Sequence, residues 1–166
     1  EEAEDSPASI LNGLVAVDSS GVTGAAIEAD LALVMKQVTD AGLSLEGATW
    51  VMSETRAAQL SMLRDALGKK YFEGMNINGT KELVTLPVEI SAACVDKIAL
   101  VLPGQILLAD DDSMDFAIST EATINMGTDV APNWVNLYEN NLMAIRAERF
   151  IRWKPRGKAA AYLQFA

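Results

Sequence analysis

Apolar residues at helical spacing predict a long amphipathic helix near the start of the chain. Thr23 is a residue type that caps helices, and Gly42 is placed to end one, so the predicted helix covers residues 23–41. Its apolar positions recur every three or four residues: Ile27, Leu31, Val34, Val38 and Ala41. A helix with one apolar face needs a sheet or a second helix beneath it.

Shorter patterns predict a strand and a second helix after the first. Residues 49–52 are typical of a short strand, and Ser53 can cap a helix that ends at Gly68. The inward positions of this helix follow helical spacing: Leu60, Leu63 and Leu67.

The central region is predicted to form strands joined by tight turns. Asn78-Gly79 favours the tip of a hairpin, flanked by Tyr71-Phe72 on one side and residues 83–91 on the other. Two further apolar runs, at 98–102 and 106–109, are broken by a Pro-Gly pair and predict two strands about a turn.

Strict alternation marks the second half of the chain. Residues 116–126 alternate throughout and predict one half-exposed strand, with Phe116 and Ile118 on its apolar face. Residues 140–166 have two mixed faces, which favours a long strand packed on one side and laid against charge on the other. A helix over 142–149 stays open as an alternative. A long helix, a mixed centre and long strands together indicate an α+β fold.

Charge is unevenly distributed along this sequence of 166 residues, half of which are apolar. The net charge is -10, but residues 140–166 hold six of the 13 Lys and Arg residues and only one acid, Glu148. The acidic balance disfavours indiscriminate binding to nucleic acid, because neutralising phosphates requires clustered bases. The segregation favours contact between copies of the same chain, since each copy carries both halves of an electrostatic match.

Residue types that common catalytic sites need are missing from the sequence. There is no histidine, which excludes Ser-His and Cys-His nucleophile pairs and the usual zinc sites. Residues 74–81 come closest to a phosphate loop but invert the order of lysine and hydroxyl. The single cysteine, Cys94, is best explained as small core filler. We therefore predict no enzyme, no catalytic residue and no cofactor or metal site.

The acidic run Asp110–Asp115 offers oxygen ligands of the kind that calcium prefers. It lacks the glycine and the distal glutamate of a helix-loop-helix calcium site, so a solvated turn between strands is favoured. The sequence has no run of 18 apolar residues and no signal peptide at its start, which predicts a soluble protein.

Several of these features together resemble the major capsid protein of tailed bacteriophages, whose fold also underlies encapsulin shells. The resemblance is carried by the predicted helix 23–41, the acidic turn before FAIST, Pro155, and four stretches of sequence: TWVMSETRAAQLSML, LPVEIS, NNLMAIRAERFIRW and AAAYL. These motifs are patterns of residue class that extend from about Ser6 to the end of the chain.

The resemblance implies a division into domains. Helix 23–41 would be a spine helix over a sheet of long strands, in a peripheral domain made of residues 22–49 and 135–166. Residues 50–134 would form a mixed α/β axial domain, and residues 1–21 a linker left from an N-terminal arm and an extended loop. Because 21 residues cannot hold both the arm and the loop, the chain is expected to be a fragment or a product of proteolysis.

The resemblance also implies partners and interface residues. Copies would form the pentamers and hexamers of an icosahedral shell around a phage or prophage genome, in the virion capsid and in the host cytoplasm during assembly. Portal, scaffold or maturation protease are further partners, and no membrane is expected. The candidate subunit-interface residues are Arg146, Glu148, Arg149 and Arg152.

Three interpretations of the arginines stay open: a solvated face, contact with a neighbouring copy, or non-specific contact with nucleic acid inside the shell. Two rival functions also remain. One is an encapsulin-like compartment that holds cargo enzyme, and the other is a small ligand- or calcium-binding module built on Asp110–Asp115.

Overall fold

The first helix, α1, spans Gly24–Thr39 in the computed structural model, which describes residues 7–111 and 113–165. The hydroxyl of Thr23 accepts a hydrogen bond from the backbone N–H of Ala26 at 3.3 Å and caps the helix. Gly42 follows the helix with a positive φ of 74°. The predicted helix and its N-cap are confirmed.

The other elements follow in chain order. A second helix, α2, spans Glu54–Met62, and a short 3₁₀ turn covers Pro103–Gln105. The strands are β1 (Val17–Asp18), β2 (Thr49–Met52), β3 (Glu82–Leu83), β4 (Leu86–Ile90), β5 (Lys97–Val101), β6 (Ile106–Asp110), β7 (Asp115–Ser119), β8 (Thr123–Asn125), β9 (Trp134–Asn136), β10 (Ala144–Glu148), β11 (Ile151–Pro155) and β12 (Ala160–Gln164). The α+β fold class is confirmed.

The described residues fall into a first unit, with residues 7–107 and 153–165, and a second unit, residues 108–152. The first unit contains a mixed six-stranded sheet in the order β1-β12-β5-β2-β4-β3. In this sheet β12 pairs in parallel with β1, β2 pairs in parallel with β4, and the other pairs are antiparallel.

Helix α1 packs its apolar face on the sheet of the first unit. Leu31, Val34 and Val38 are fully buried, as the helical spacing predicts. The helix contacts β12, where Ala160 and Ala161 are also fully buried. Ala161 belongs to the same buried cluster as the apolar residues of α1, and its small side chain lets the helix come close to the strand.

Asp30 ties the chain before α1 to the helix. Its side chain is 2% exposed, and Oδ2 accepts a hydrogen bond from the backbone N–H of Ser20 at 2.8 Å. Just before this contact, β1 pairs with β12 at the register Val17–Leu163. The predicted linker therefore contributes a strand to the sheet.

We expect Asp30→Ala to lower the free energy of unfolding by about 1–3 kcal/mol, because it removes the hydrogen bond that the buried Asp30 carboxylate accepts from the N–H of Ser20. Asp40→Ala, at the C-cap of the same helix, is the control, since the Asp40 carboxylate is exposed and pairs with Lys36 at 2.7 Å. The control should cost less than about 0.5 kcal/mol. Denaturant unfolding measures both variants, and equal losses would contradict the assigned role of Asp30.

Helix α2 is shorter than predicted. It ends at Met62, and Leu63 is extended with its carbonyl accepting from the N–H of Tyr71 at 3.0 Å. The side chain of Asp65 accepts hydrogen bonds from the N–H groups of Leu67 and Lys69, and these local bonds compete with a helix. Leu67 is consequently exposed, so the prediction that it faces inward is wrong.

The hairpin tip also differs from the prediction. Val84 and Thr85 form the turn between β3 and β4, with φ values of 49° and 61°. Both are β-branched residues in the left-handed region, which is a costly conformation for them. Leu83 before the turn is fully buried, so burial rather than turn chemistry explains the register. Asn78-Gly79 lies in the preceding loop.

The second unit contains two short antiparallel pairs, β7 with β10 and β8 with β9. The predicted strand 116–126 breaks because the hydroxyl of Ser119 accepts a hydrogen bond from the N–H of Ala122 at 3.2 Å and forms a turn. The predicted terminal strand breaks into β10, β11 and β12, and the helical alternative for 142–149 is wrong.

The two units do not coincide with the predicted domain boundaries. Strands β4 and β5, both from the predicted axial domain 50–134, belong to one sheet with β12 from the predicted peripheral domain. Backbone pairing between these distant segments holds them in the same unit. The roles of the segments as axial and peripheral domains stay a prediction.

Candidate subunit interface

Strands β7 and β10 form a two-stranded antiparallel ribbon in the second unit. The register places Ile145 opposite Ile118 and Ala147 opposite Phe116. Residues directly opposite each other in such a pair point to the same side. One side of the ribbon is therefore lined entirely by apolar residues, and we call Phe116, Ile118, Ile145 and Ala147 the apolar face.

The apolar face is exposed to solvent. Phe116 is 67% exposed, Ile118 is 66% exposed and Ile145 is 67% exposed. Adjoining exposed side chains of this size mark interaction surfaces in soluble proteins. A two-stranded ribbon is also marginal on its own, because a stable sheet needs further strands or a layer packed on its apolar face. The ribbon therefore has the properties of a surface that another chain segment covers.

The opposite side of the ribbon carries charge. Arg146 and Glu148 project from β10 two residues apart and form an ion pair, with Nη2 and Oε2 3.3 Å apart. The side chain of Arg146 is 70% exposed. Asp115 lies opposite Glu148 across the ribbon, so two carboxylates meet at this end. The ribbon thus separates an apolar side from a charged side.

Arg149 is engaged within its own chain. Its Nε donates to Oδ1 of Asp110 at 2.9 Å, and its Nη2 donates to Oδ2 of the same carboxylate. These two hydrogen bonds, together with the charge of Asp110, raise the pKa of the Arg149 guanidinium above its ordinary value. Beside this pair, the N–H of Asp111 donates to the carbonyl of Phe150 at 3.1 Å. Arg149 therefore helps to fix the bend between β10 and β11.

The four predicted interface residues are only partly brought together. Arg146 and Glu148 share one side of the ribbon, Arg149 follows the end of β10, and Arg152 lies in β11. The four residues predicted from the sequence are all charged, and none of them belongs to the apolar face. The sequence does contain a signal for the apolar face, because apolar residues alternate in both strands. The pairing of β7 with β10 brings these residues to the same side.

No group of three or more His, Cys, Asp or Glu side chains that could hold a metal ion occurs within residues 7–111 and 113–165. Asp112 of the predicted acidic turn lies outside the described residues. Neither helix of the described chain is long and apolar enough to cross a membrane.

Comparison with known sequences identifies relatives along nearly the whole chain. Residues 4–164 match the model of the Phage capsid family. The capsid polyprotein of Pseudomonas phage PAJU2 is 36% identical over 172 residues, which cover 95% of this chain and 25% of the polyprotein. The probable major capsid protein gp17 of Mycobacterium phage D29 is 27% identical over 130 residues, 69% of this chain and 41% of that protein. The chain spans less than half the length of these curated relatives.

Solved structures share the fold. A chain from Mycobacterium phage Adephagia aligns with a TM-score of 0.67 at 14% identity, covering 100% of this chain and 57% of its own length. A chain from the capsid of an empty GTA particle aligns with a TM-score of 0.61 at 16% identity, covering 98% of this chain and 57% of its own length.

Proposed function

Because the chain belongs to the phage capsid family, we propose that it serves in a structural major capsid protein that self-assembles into an icosahedral shell around a phage or prophage genome. The relatives named as a capsid polyprotein and as a probable major capsid protein support this role. The shared fold with a chain of a GTA particle capsid supports assembly from many copies. These likenesses favour a phage capsid over an encapsulin-like compartment and over a calcium-binding module.

The observation that carries the proposal is the exposed apolar face of the ribbon. Burying one large apolar side chain contributes about 1.5–3 kcal/mol, so covering Phe116, Ile118 and Ile145 by a neighbouring copy gives a substantial contact. The contact recurs at each equivalent position of a symmetric shell. The modest free energies of the individual interfaces therefore sum over many copies.

The charged side of the ribbon offers a second contact. Arg146 and Glu148 are exposed on the side opposite the apolar face and can meet opposite charges on a neighbouring copy. Arg149 is already paired with Asp110, so its first role is to hold the bend of its own chain. Arg152 lies on β11, and we retain it as an interface candidate there. No catalytic step is part of this proposal.

Copies would gather as pentamers and hexamers in the host cytoplasm and remain in the virion capsid. Portal, scaffold or maturation protease would be further partners of the assembling shell. Packaged nucleic acid would be contacted only without sequence preference, because the chain is acidic overall.

We expect Arg146→Glu in the full-length protein to lower the yield of assembled particles severalfold without unfolding the subunit. The reversal replaces attraction by like-charge repulsion at each copy of the interface. Lys36→Glu is a matched control, because Lys36 is 67% exposed and likewise pairs with one nearby acid, Asp40. Particle yield is measured by electron microscopy, and folding by circular dichroism.

Equal particle yields for the two variants would contradict a role for Arg146 between copies. Absence of closed particles from the unaltered full-length protein, under conditions in which the subunit is folded, would contradict the proposed function itself.

A further inference from the structure

The outer edge of β7 is open in the second unit. β7 pairs with β10 on one side, and no strand of the described residues pairs with its other side. Asp115, Phe116, Ala117 and Ile118 are all exposed. An unpaired strand edge presents a row of backbone N–H and C=O groups to which another strand can add.

We propose that two copies of the chain pair through this edge, with β7 of one copy antiparallel to β7 of the other and Ala117 opposite Ala117. The contact is isologous, meaning that the same surface is used by both copies, as in most two-fold interfaces. All five residues of the strand take part, because Ala117 is the middle residue of Asp115–Ser119.

The side chains of β7 complement themselves in this register. Phe116 of each copy lies opposite Ile118 of the other, and an aromatic residue opposite a β-branched one is a favourable cross-strand pair. Asp115 of each copy lies opposite Ser119, whose hydroxyl can donate to the carboxylate. No two like charges face each other. The apolar faces of the two ribbons become continuous in one four-stranded sheet.

The open edge of β10 is a poorer choice for the same kind of pairing. Its middle residue is Arg146, so an equivalent antiparallel pair would place two copies of Arg146 opposite each other. Like charges directly opposite in a ladder destabilise it. The edge of β7 is therefore the one that pairs with the second copy.

Pairing through β7 would also stabilise the ribbon, which is only marginally stable as two strands. Two strands alone are unstable in water, whereas a sheet of four strands with a continuous apolar side is a suitable base for further packing. The inference rests on the proposed assembly of many copies, since it names the surface through which two of them meet.

Disulfide cross-linking of single-cysteine variants of the 166-residue chain tests the register. In a Cys94→Ser background, Ala117→Cys brings two cysteines directly opposite each other, with Cα atoms about 4.5–5.5 Å apart. This separation lies within the range that a disulfide spans. Ser119→Cys is the matched control on the same side of the ribbon, because its two copies would lie four residues apart along the ladder, about 13 Å.

We expect Ala117→Cys to form a covalent dimer at least about tenfold faster than Ser119→Cys under mild oxidation, a difference of about 1.4 kcal/mol in barrier height. The unaltered chain should also show a concentration-dependent dimer in sedimentation velocity experiments. Equal cross-linking rates for the two variants, or an unaltered chain that stays monomeric at every concentration, would overturn the proposal.

The experiment separates this pairing from the proposed function. Rapid cross-linking at position 117 without shells from the full-length protein would retain the pairing and reject the shell. Closed shells from a full-length Ala117→Cys variant that does not cross-link would retain the shell and reject the pairing.

Discussion

Replacing Leu31 by alanine should lower the free energy of unfolding by about 2–5 kcal/mol, the range found when a buried leucine is truncated in a packed core. Leu31 has no exposed surface and sits in the middle of the face that α1 packs on the sheet. Truncation removes apolar contacts and leaves a cavity between helix and sheet. Chemical denaturation with fluorescence or circular dichroism as the signal measures the change.

Leu33→Ala is the control for this substitution, because Leu33 lies on the same helix but is 50% exposed. It removes the same atoms without opening a buried cavity, so it should cost less than about 1 kcal/mol. If the two variants lost equal stability, α1 would not be packed on the sheet by the face that the structure assigns to it.

Replacing Ile118 by lysine in the full-length protein should reduce the yield of assembled particles by more than about tenfold. Truncating a hot-spot residue of an interface costs about 2 kcal/mol or more, and about 1.4 kcal/mol already corresponds to a tenfold change in association. Ile118 belongs to the apolar face, opposite Ile145, and is 66% exposed in the isolated chain, so the subunit itself should tolerate the lysine. Density-gradient sedimentation measures the fraction of protein in particles.

Val95→Lys is the matched control, because Val95 is 65% exposed in the first unit and lies outside the ribbon. Its particle yield should stay near that of the unaltered protein. If Ile118→Lys assembled as well as the unaltered protein, or if both variants lost particle yield equally, the apolar face would not be a specific contact between copies.

The elements that the sequence predicts best are those whose local pattern and burial agree. In α1 the cap at Thr23, the helical spacing of Leu31 and Val34, and the terminating Gly42 all favour the same helix. Strand β2, which is predicted as residues 49–52, has the same bounds in the structure. Where the local signals agree in this way, distant contacts do not alter the type or the bounds of the element.

The predictions that are wrong concern segments where a buried contact or a competing local hydrogen bond overrides the residue pattern. Asn78-Gly79 has ideal turn chemistry, but burial of Leu83 moves the hairpin to Val84-Thr85. Leu67 fits the helical spacing of α2, yet the side chain of Asp65 organises a turn before it. Spacing alone does not reveal these competing hydrogen bonds.

The candidate interface is predictable in part. The sequence points to Arg146 and Glu148, which do lie together, but it does not show that Arg149 finds a partner 39 residues away in Asp110. The apolar face depends on the register between β7 and β10, since alternation within either strand does not say which strand it meets. Pairing between segments is what turns two alternating patterns into one surface.

Electron cryomicroscopy of particles of the full-length protein would show whether neighbouring copies cover the apolar face of the ribbon. We predict closed icosahedral shells in which Phe116 and Ile118 are buried against a neighbouring copy. Closed shells in which these two side chains face solvent, or are covered only by their own copy, would contradict this prediction.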